Sequence, residues 1–543
     1  MADKIHIENQ SHDNWWKGAV IYQVYPRSYC DSTGNGTGDL AGITSKMDYI
    51  ASLGVDAIWL SPFQQSPMRD FGYDVSDYCA VDPLFGEMND FDAFLKSAHD
   101  HGLKVIIDMV LSHTSDLHEW YKESRENRDN DKADWYVWAD PKKDGSPPNN
   151  WLSVFGGSAW QYETRRGQYY LHNFLVSQPD LNLHNTDVQD ALLDACEFWL
   201  KRGVDGFRLD ALSHYFHNQN LKDNPAADGN LGSTQLEHVD PYNMQRHLYD
   251  KAQPETTDFL ARIRALLDRY DARMAVGEVG EDNPLEAAGR YSAGDKLLHT
   301  CYNFSLMGGQ NKALSAELIQ EPLEAYHKLD TAGWPAWAFC NHDVVRVASR
   351  WGTQNGGVDN PDFAKMLIAL LTCLRGSVFI YQGEELGLDE ATLDFDDLRD
   401  PWGIYLYPLW QGRDGCRTPM VWDNNQATNY GFSSKPVAPW LPISQTHISK
   451  NAATQDEDKN SVLNFTRDFL KHRKTMPALI DGDIEFVQTS SDKLIVFKRH
   501  NGTETILCVF NVSNEDQVFE IESTKEKSEP LKLAPFDFSL RHI

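Results

Sequence analysis

The sequence predicts an α/β protein whose centre is a closed (β/α)8 barrel, and three observations predict it. A short β-rich run followed by an amphipathic helix recurs along the chain. Eight such runs precede a final irregular stretch, and alternating strands and helices imply a parallel sheet. The 543 residues hold such a barrel with further domains to spare. An open doubly wound sheet is the alternative, but no GxGxxG follows the first strand.

GAVIYQVYP (18–26) reads as the first strand. Leu40, Ile43, Met47, Ile50 and Leu53 fall at helical spacing over 40–53, with Gly54 as the stop. VDAIWLSP (55–62) is the second strand, 90–101 a helix, and LKVIIDMVLSH (103–113) the third strand. Residues 114–180 break the rhythm. Rich in Trp, Asp, Asn, Pro and Gly, they read as an inserted domain. Helix 187–202 and strand GVDGFRLD (203–210) resume the pattern. RMAVGEV (273–279), HTCYNFSL (299–306), WAFCNHD (337–343) and GSVFIYQGEE (376–385) complete the eight, with a helix over 363–376. An irregular extension (386–450) and a helix over 458–475 follow. DIEFVQ, KLIVFKR, TILCVFNVS and QVFEIES then alternate as hairpin strands do. The expected domains are the barrel (1–113 and 181–476), the insert (114–180) and a C-terminal antiparallel β domain (477–543).

With 50 basic and 80 acidic residues the formal charge is −30, which argues against nucleic acid or an anionic membrane as partner. Sixteen tryptophans and 22 tyrosines fill the core and also supply the apolar faces on which sugar rings stack. MADKIHIENQSHDNWW has neither a basic n-region nor an apolar h-region, and no run reaches the roughly 18 to 20 apolar residues of a membrane span, so a cytoplasmic protein is expected. Eight scattered cysteines without CxxC read as reduced and mostly buried. Both a monomer and a homodimer are compatible with the sequence.

In DGFRLDAL (205–212), Arg208 and Asp210 are two apart and share one face of a strand, opposite Phe207 and Leu209. Two charges on a buried strand are costly unless paired or used. Barrel chemistry sits at the C-terminal strand ends. There the sequence places Asp108 and His113, Arg208 and Asp210, Glu278, and Asn341, His342 and Asp343. Clustered carboxyls without a metal motif suit glycoside cleavage, which needs one carboxyl protonated and another ionised. Arg208 is expected to hold Asp210 charged, as the nucleophile. Glu278, with no cation beside it in sequence, is the expected acid/base.

DMVLSH, DGFRLDAL, VGEV and CNHDVVR resemble, in order, the four signature regions of the α-amylase family of glycoside hydrolases. QPDLN (178–182) and GRDGCRTPMVW (412–422) resemble further stretches of its α-glucosidase and oligo-1,6-glucosidase branch. The resemblance implies a TIM-type barrel, an inserted B domain after strand three and a C-terminal β domain. It makes Asp210 the nucleophile, Glu278 the acid/base, Asp343 the transition-state stabiliser, and His113, His342 and Arg208 sugar contacts. In exo-acting members the aspartate of a motif like RDFGYD pairs with a distal arginine and closes the pocket. Here that implies an Asp70–Arg413 pair, with Tyr73 under the glucose. Phe155 and Phe174 of the insert are added as substrate-binding aromatics. In this branch a valine after the nucleophile accompanies α-1,6 activity and smaller residues α-1,4 activity, so Ala211 favours α-1,4.

The expectation is an exo-acting retaining α-glucosidase acting on maltose-like sugars. The rivals are an oligo-1,6-glucosidase, a sucrose hydrolase or isomerase, and a transglucosylase. A catalytically dead binding module of a transporter would lose carboxylates that this chain keeps. No cofactor is expected for catalysis. DSTGNGTGD (31–39) resembles an EF-hand-like loop suited to a structural Ca2+ or Mg2+. Its candidate ligands are Asp31, Thr33, Asn35, the Thr37 carbonyl and Asp39.

Overall fold

The computed structural model describes residues 14–227, 240–308, 312–330, 333–520 and 529–543. Eight strands close into a parallel barrel in chain order. They are β1 (Val20–Val24), β2 (Ala57–Leu60), β3 (Lys104–Met109), β4 (Gly206–Leu209), β5 (Met274–Val279), β6 (Thr300–Asn303), β7 (Trp334–Ala338) and β8 (Ser377–Tyr381), and β8 pairs with β1. All but the ends are buried on both faces, as helices cover the outside.

The helix expected over 40–53 is two, Leu40–Ser45 and Met47–Ser52, broken at Lys46. Lys46 N–H bonds tightly back to Ile43 and Thr44, so the break leaves the buried face in register. Helices Met88–Asp100 and Thr186–Arg202 match their patterns; the second ends on Gly203, which is left-handed at φ 107°. The helix Pro361–Cys373 ends before the expected glycine. The seventh strand lies earlier than WAFCNHD. It includes Pro335, which donates nothing to a ladder and therefore masks a strand in sequence. Asn341, His342 and Asp343 stand in the loop beyond it, where the Asn341 side chain accepts from Asp343 N–H at 2.8 Å.

Residues 114–180 carry a short helix, Glu119–Ser124, and a three-stranded antiparallel sheet built from Trp138–Ala139, Gln168–Leu171 and Trp160–Glu163. Val137, Trp151, Trp160 and Leu171 form an apolar cluster of their own there. After the helix Val462–Arg473 the chain forms a four-stranded antiparallel sheet. Its fourth member is Phe538–His542, and the end of the expected strand QVFEIES, residues 521–523, lies outside the described residues. Gln517–Phe519 pairs instead with Leu531–Leu533 in a separate ribbon. Among the described residues no helix is long and apolar enough to cross a membrane. All eight cysteines are free, and seven are buried.

Candidate active site

Strand register builds the floor of the site. Asp108 on β3 lies opposite Arg208 on β4, and Glu278 on β5 lies opposite Tyr302 on β6. One guanidinium therefore meets three carboxyls. Arg208 Nη1 donates to Asp108 at 2.8 Å and to Asp210 at 2.5 Å, while Nη2 lies 2.6 Å from Glu278. The arginine is fully buried and lies beneath Trp59 and Tyr73 ring faces. Burial pushes Asp108 up to about 6 against the pull of Arg208. Burial likewise raises Asp210, and the nearby Glu278 and Asp108 charges add to it while Arg208 opposes. The expectation that Arg208 simply holds Asp210 ionised, with no cation at Glu278, is therefore corrected. The guanidinium is shared, and Glu278 also accepts from Ala211 N–H at 3.1 Å and Tyr302 Oη at 3.0 Å.

A second cluster forms the wall. Arg413 donates to Asp70 at 3.1 Å, as expected, and also to Asp343 at 3.1 Å and Asp400 at 2.8 Å. Arg417 reaches Asp343 at 2.7 Å. Burial penalises the charge on Asp343, but His342, Arg413 and Arg417 outweigh it and hold the carboxyl well below its ordinary range. Burial raises Asp70 to about 6, with Arg413 opposing. Gln178, quoted above only as part of QPDLN, donates to Asp70 at 3.0 Å. The sequence reading missed Tyr302, Asp400, Arg417 and the role of Asp108. Arg417 was visible within GRDGCRTPMVW, whereas Asp400 lies in an irregular stretch with no periodic signal.

These residues surround a cavity of about 430 Å³. Asp70, Tyr73, His113, Phe155, Phe174, Asp210, Ala211, Glu278, Asp343 and Arg413 all line it. Arg413 lies over the Phe155 ring, 5.1 Å from its centroid, and Phe174 sits against His113. Burial lowers His113 to about 4, and its Nε2 faces the Tyr73 carbonyl at 2.9 Å. His342 and Arg208, expected as direct sugar contacts, are fully buried and stand behind the lining. His342 receives a hydrogen bond from Gln23 on Nδ1, so its Nε2–H faces Tyr73 Oη at 2.6 Å and Asp343 at 3.2 Å. It stacks on Tyr73 at 5.3 Å. Both bond to side chains that line the cavity.

In the loop 31–39 the chain's own donors reach the carboxylate oxygens proposed for a metal ion. Asp31 Oδ1 accepts from Gly34 and Asn35 N–H, and Oδ2 from Gly36 N–H and Ser433 Oγ. Asp39 accepts from Gly42 N–H and Ser32 Oγ on one oxygen and from Ser32 and Thr33 N–H on the other. Each carboxylate oxygen thus has at least two donors. Asn35 Oδ1 accepts from Thr37 N–H, Thr33 Oγ1 turns to Asp31, and the Lys435 ammonium sits 2.9 Å from the Thr33 carbonyl. The donors that a cation would replace come from the chain itself, and Asp39 also caps the following helix.

Chelation should therefore leave the melting temperature within about 1 °C of its starting value, since structural metal loss moves Tm by several degrees. A scanning calorimetry trace with and without EDTA checks this. The raised pKa of Asp70 carries a sign. Its folded value of about 6 exceeds the ordinary 3.8, so the stability it contributes is complete below pH ~4 and falls as pH rises through about 6. Asp70→Asn should flatten the decline of Tm between about pH 4 and 6, whatever its effect at any one pH. An equal decline in both proteins rejects this.

Comparison with known proteins agrees with the geometry. A family model described as the α-amylase catalytic domain matches residues 23–482. A probable α-glucosidase of Rhizobium meliloti (strain 1021) is 54% identical over 96% of this chain and 93% of its own length. An oligo-1,6-glucosidase of Heyndrickxia coagulans is 36% identical over 93% of each chain. Among solved structures, an α-glucosyl transfer enzyme is 49% identical, covers 97% of this chain and 99% of its own, and superposes with a TM-score of 0.93. With the barrel closed, the carboxyls clustered at its strand ends and the match spanning most of the chain, the protein belongs to the α-amylase family of glycoside hydrolases, in its α-glucosidase branch.

Proposed function

We propose that the protein is an exo-acting, retaining α-glucosidase that releases glucose from the non-reducing end of maltose and short α-1,4-linked oligosaccharides, in the cytoplasm. One observation carries this reading. Asp210 and Glu278 stand side by side on adjacent nitrogens of Arg208, facing a cavity walled by the Asp70–Arg413 pair. Retaining hydrolysis uses two carboxyls about 5 to 5.5 Å apart, whereas inversion needs a wider gap for water. The wall limits the far side to one sugar unit.

In the proposed reaction Asp210 attacks the anomeric carbon while the Glu278 carboxyl gives its proton to the departing oxygen. The C1–O bond breaks and a glucosyl ester forms on Asp210. Glu278, now ionised, takes a proton from a water whose oxygen attacks C1 and frees Asp210. Three carboxyls around a single cation leave a surplus of negative charge, and such a group retains a proton shared among its members. Asp343, held ionised, would bind two ring hydroxyls, as the family resemblance implies. Ala211 lines the cavity with a methyl group, at φ 40° in the left-handed region, and its small size supports α-1,4 over α-1,6 cleavage. Transfer to an acceptor sugar is a second outcome of the same intermediate, supported by the 49% identity to the glucosyl transfer enzyme.

Asp210→Asn and Glu278→Gln should each lower kcat/KM on maltose by at least about 10³-fold while leaving the melting temperature within a few degrees. Residual activity above a tenth of wild type in either variant rejects the assignment. Wild-type turnover of maltose should exceed that of isomaltose and sucrose, as product analysis will read; an isomaltose preference defeats the α-1,4 choice.

A further inference from the structure

We propose that Tyr302 is a positioning residue of the reaction: it links the buried Arg208 to Glu278 and fixes how readily that carboxyl gives up and regains its proton. The inference rests on the proposed function and adds a residue that the signature regions do not contain.

The geometry leaves the phenol one arrangement. Arg208 donates twice to Tyr302 Oη, from Nε at 3.1 Å and Nη2 at 2.9 Å. A guanidinium has no acceptor, so both contacts consume lone pairs of the phenol oxygen. The single phenolic hydrogen must then point elsewhere, and Glu278 Oε1 lies 3.0 Å away. The hydrogen bond therefore runs in one direction, from arginine to phenol to carboxylate. It favours the ionised carboxylate and must weaken when Glu278 is protonated, since the phenol cannot reorient without losing an arginine contact.

Position in the sheet makes the arrangement rigid. Tyr302 stands opposite Glu278 in the β5–β6 register and is 1% exposed. Its ring packs against Trp59 and Phe379 at 6.0 and 5.5 Å. The charged and titratable groups facing Glu278 are Asp108 from β3, Arg208 and Asp210 from β4 and its end, and Tyr302 from β6; Ala211 supplies a backbone donor. Among these side chains, the phenol alone is a neutral donor to Glu278. A phenylalanine keeps the packing and removes only the hydroxyl.

The test is the pH profile of kcat/KM on maltose. In the proposed reaction the alkaline limb reports loss of the donating proton. Tyr302→Phe removes a donor to the ionised form, so that limb should move up by about one pH unit. Tyr302→3-fluorotyrosine offers a more acidic phenol and should move it down. Limb position does not depend on the concentration of active protein, so partial misfolding of either variant does not obscure the result. An alkaline limb unmoved in both variants, or moved in the same direction by both, overturns the inference while leaving the proposed function intact. A wild type that cleaves no α-glucoside overturns both.

Discussion

The guanidinium of Arg208 is the constraint around which the site is arranged. A cation in a barrel interior is tolerated only when paired and hydrogen-bonded. This one is fully buried, and it satisfies itself on Asp108, Asp210, Glu278 and the Tyr302 phenol. Those partners sit on four successive strands or their ends. The pairing can exist only if the registers of β3 to β6 are those observed. Stability of the barrel and placement of its chemistry are thus one requirement.

The two charge clusters divide the electrostatic work by their stoichiometry. Around Arg208 three carboxyls share one cation, and burial pushes Asp108 and Asp210 upward. On the wall, Asp70, Asp343 and Asp400 share Arg413 and Arg417. There Asp343 and Asp400 are held down, and Asp70 alone is raised. The first cluster is equipped to hold and pass a proton. The second is equipped to present fixed negative charge. Similar residues behave differently because the ratio of cations differs, with depth in the fold nearly the same.

Much of this was legible in the sequence, for identifiable reasons. Strands β1 to β6 and β8 announce themselves as short apolar runs; Asp210 and Glu278 stand at the ends of two of them, and Asp343 and the Asp70–Arg413 pair came from the family resemblance. The seventh strand was displaced because Pro335 looks like a breaker while sitting inside a ladder. Alternation marks a strand and not its partner: Gln517–Phe519 is antiparallel as expected but pairs with Leu531–Leu533, and Phe538–His542 joins the larger sheet. Oxygen spacing in DSTGNGTGD suggested a cation, and spacing does not reveal that backbone amides reach the same oxygens. Arg208 and His342 were assigned to the sugar by the family resemblance, and a motif position does not fix depth. Tyr302 and Asp400 carried no signal because their importance comes from contacts across 94 and 13 residues respectively.

The Asp70–Arg413 wall also governs traffic. Under the proposed function a hexose bound behind the scissile bond has a single doorway, the one occupied by the other half of its parent molecule. The remnant nearer the mouth must depart before the inner sugar can follow, so the exit sequence is dictated by architecture. Accumulated monosaccharide would re-enter the blind end and compete with fresh disaccharide for the same berth, throttling turnover as its own concentration climbs.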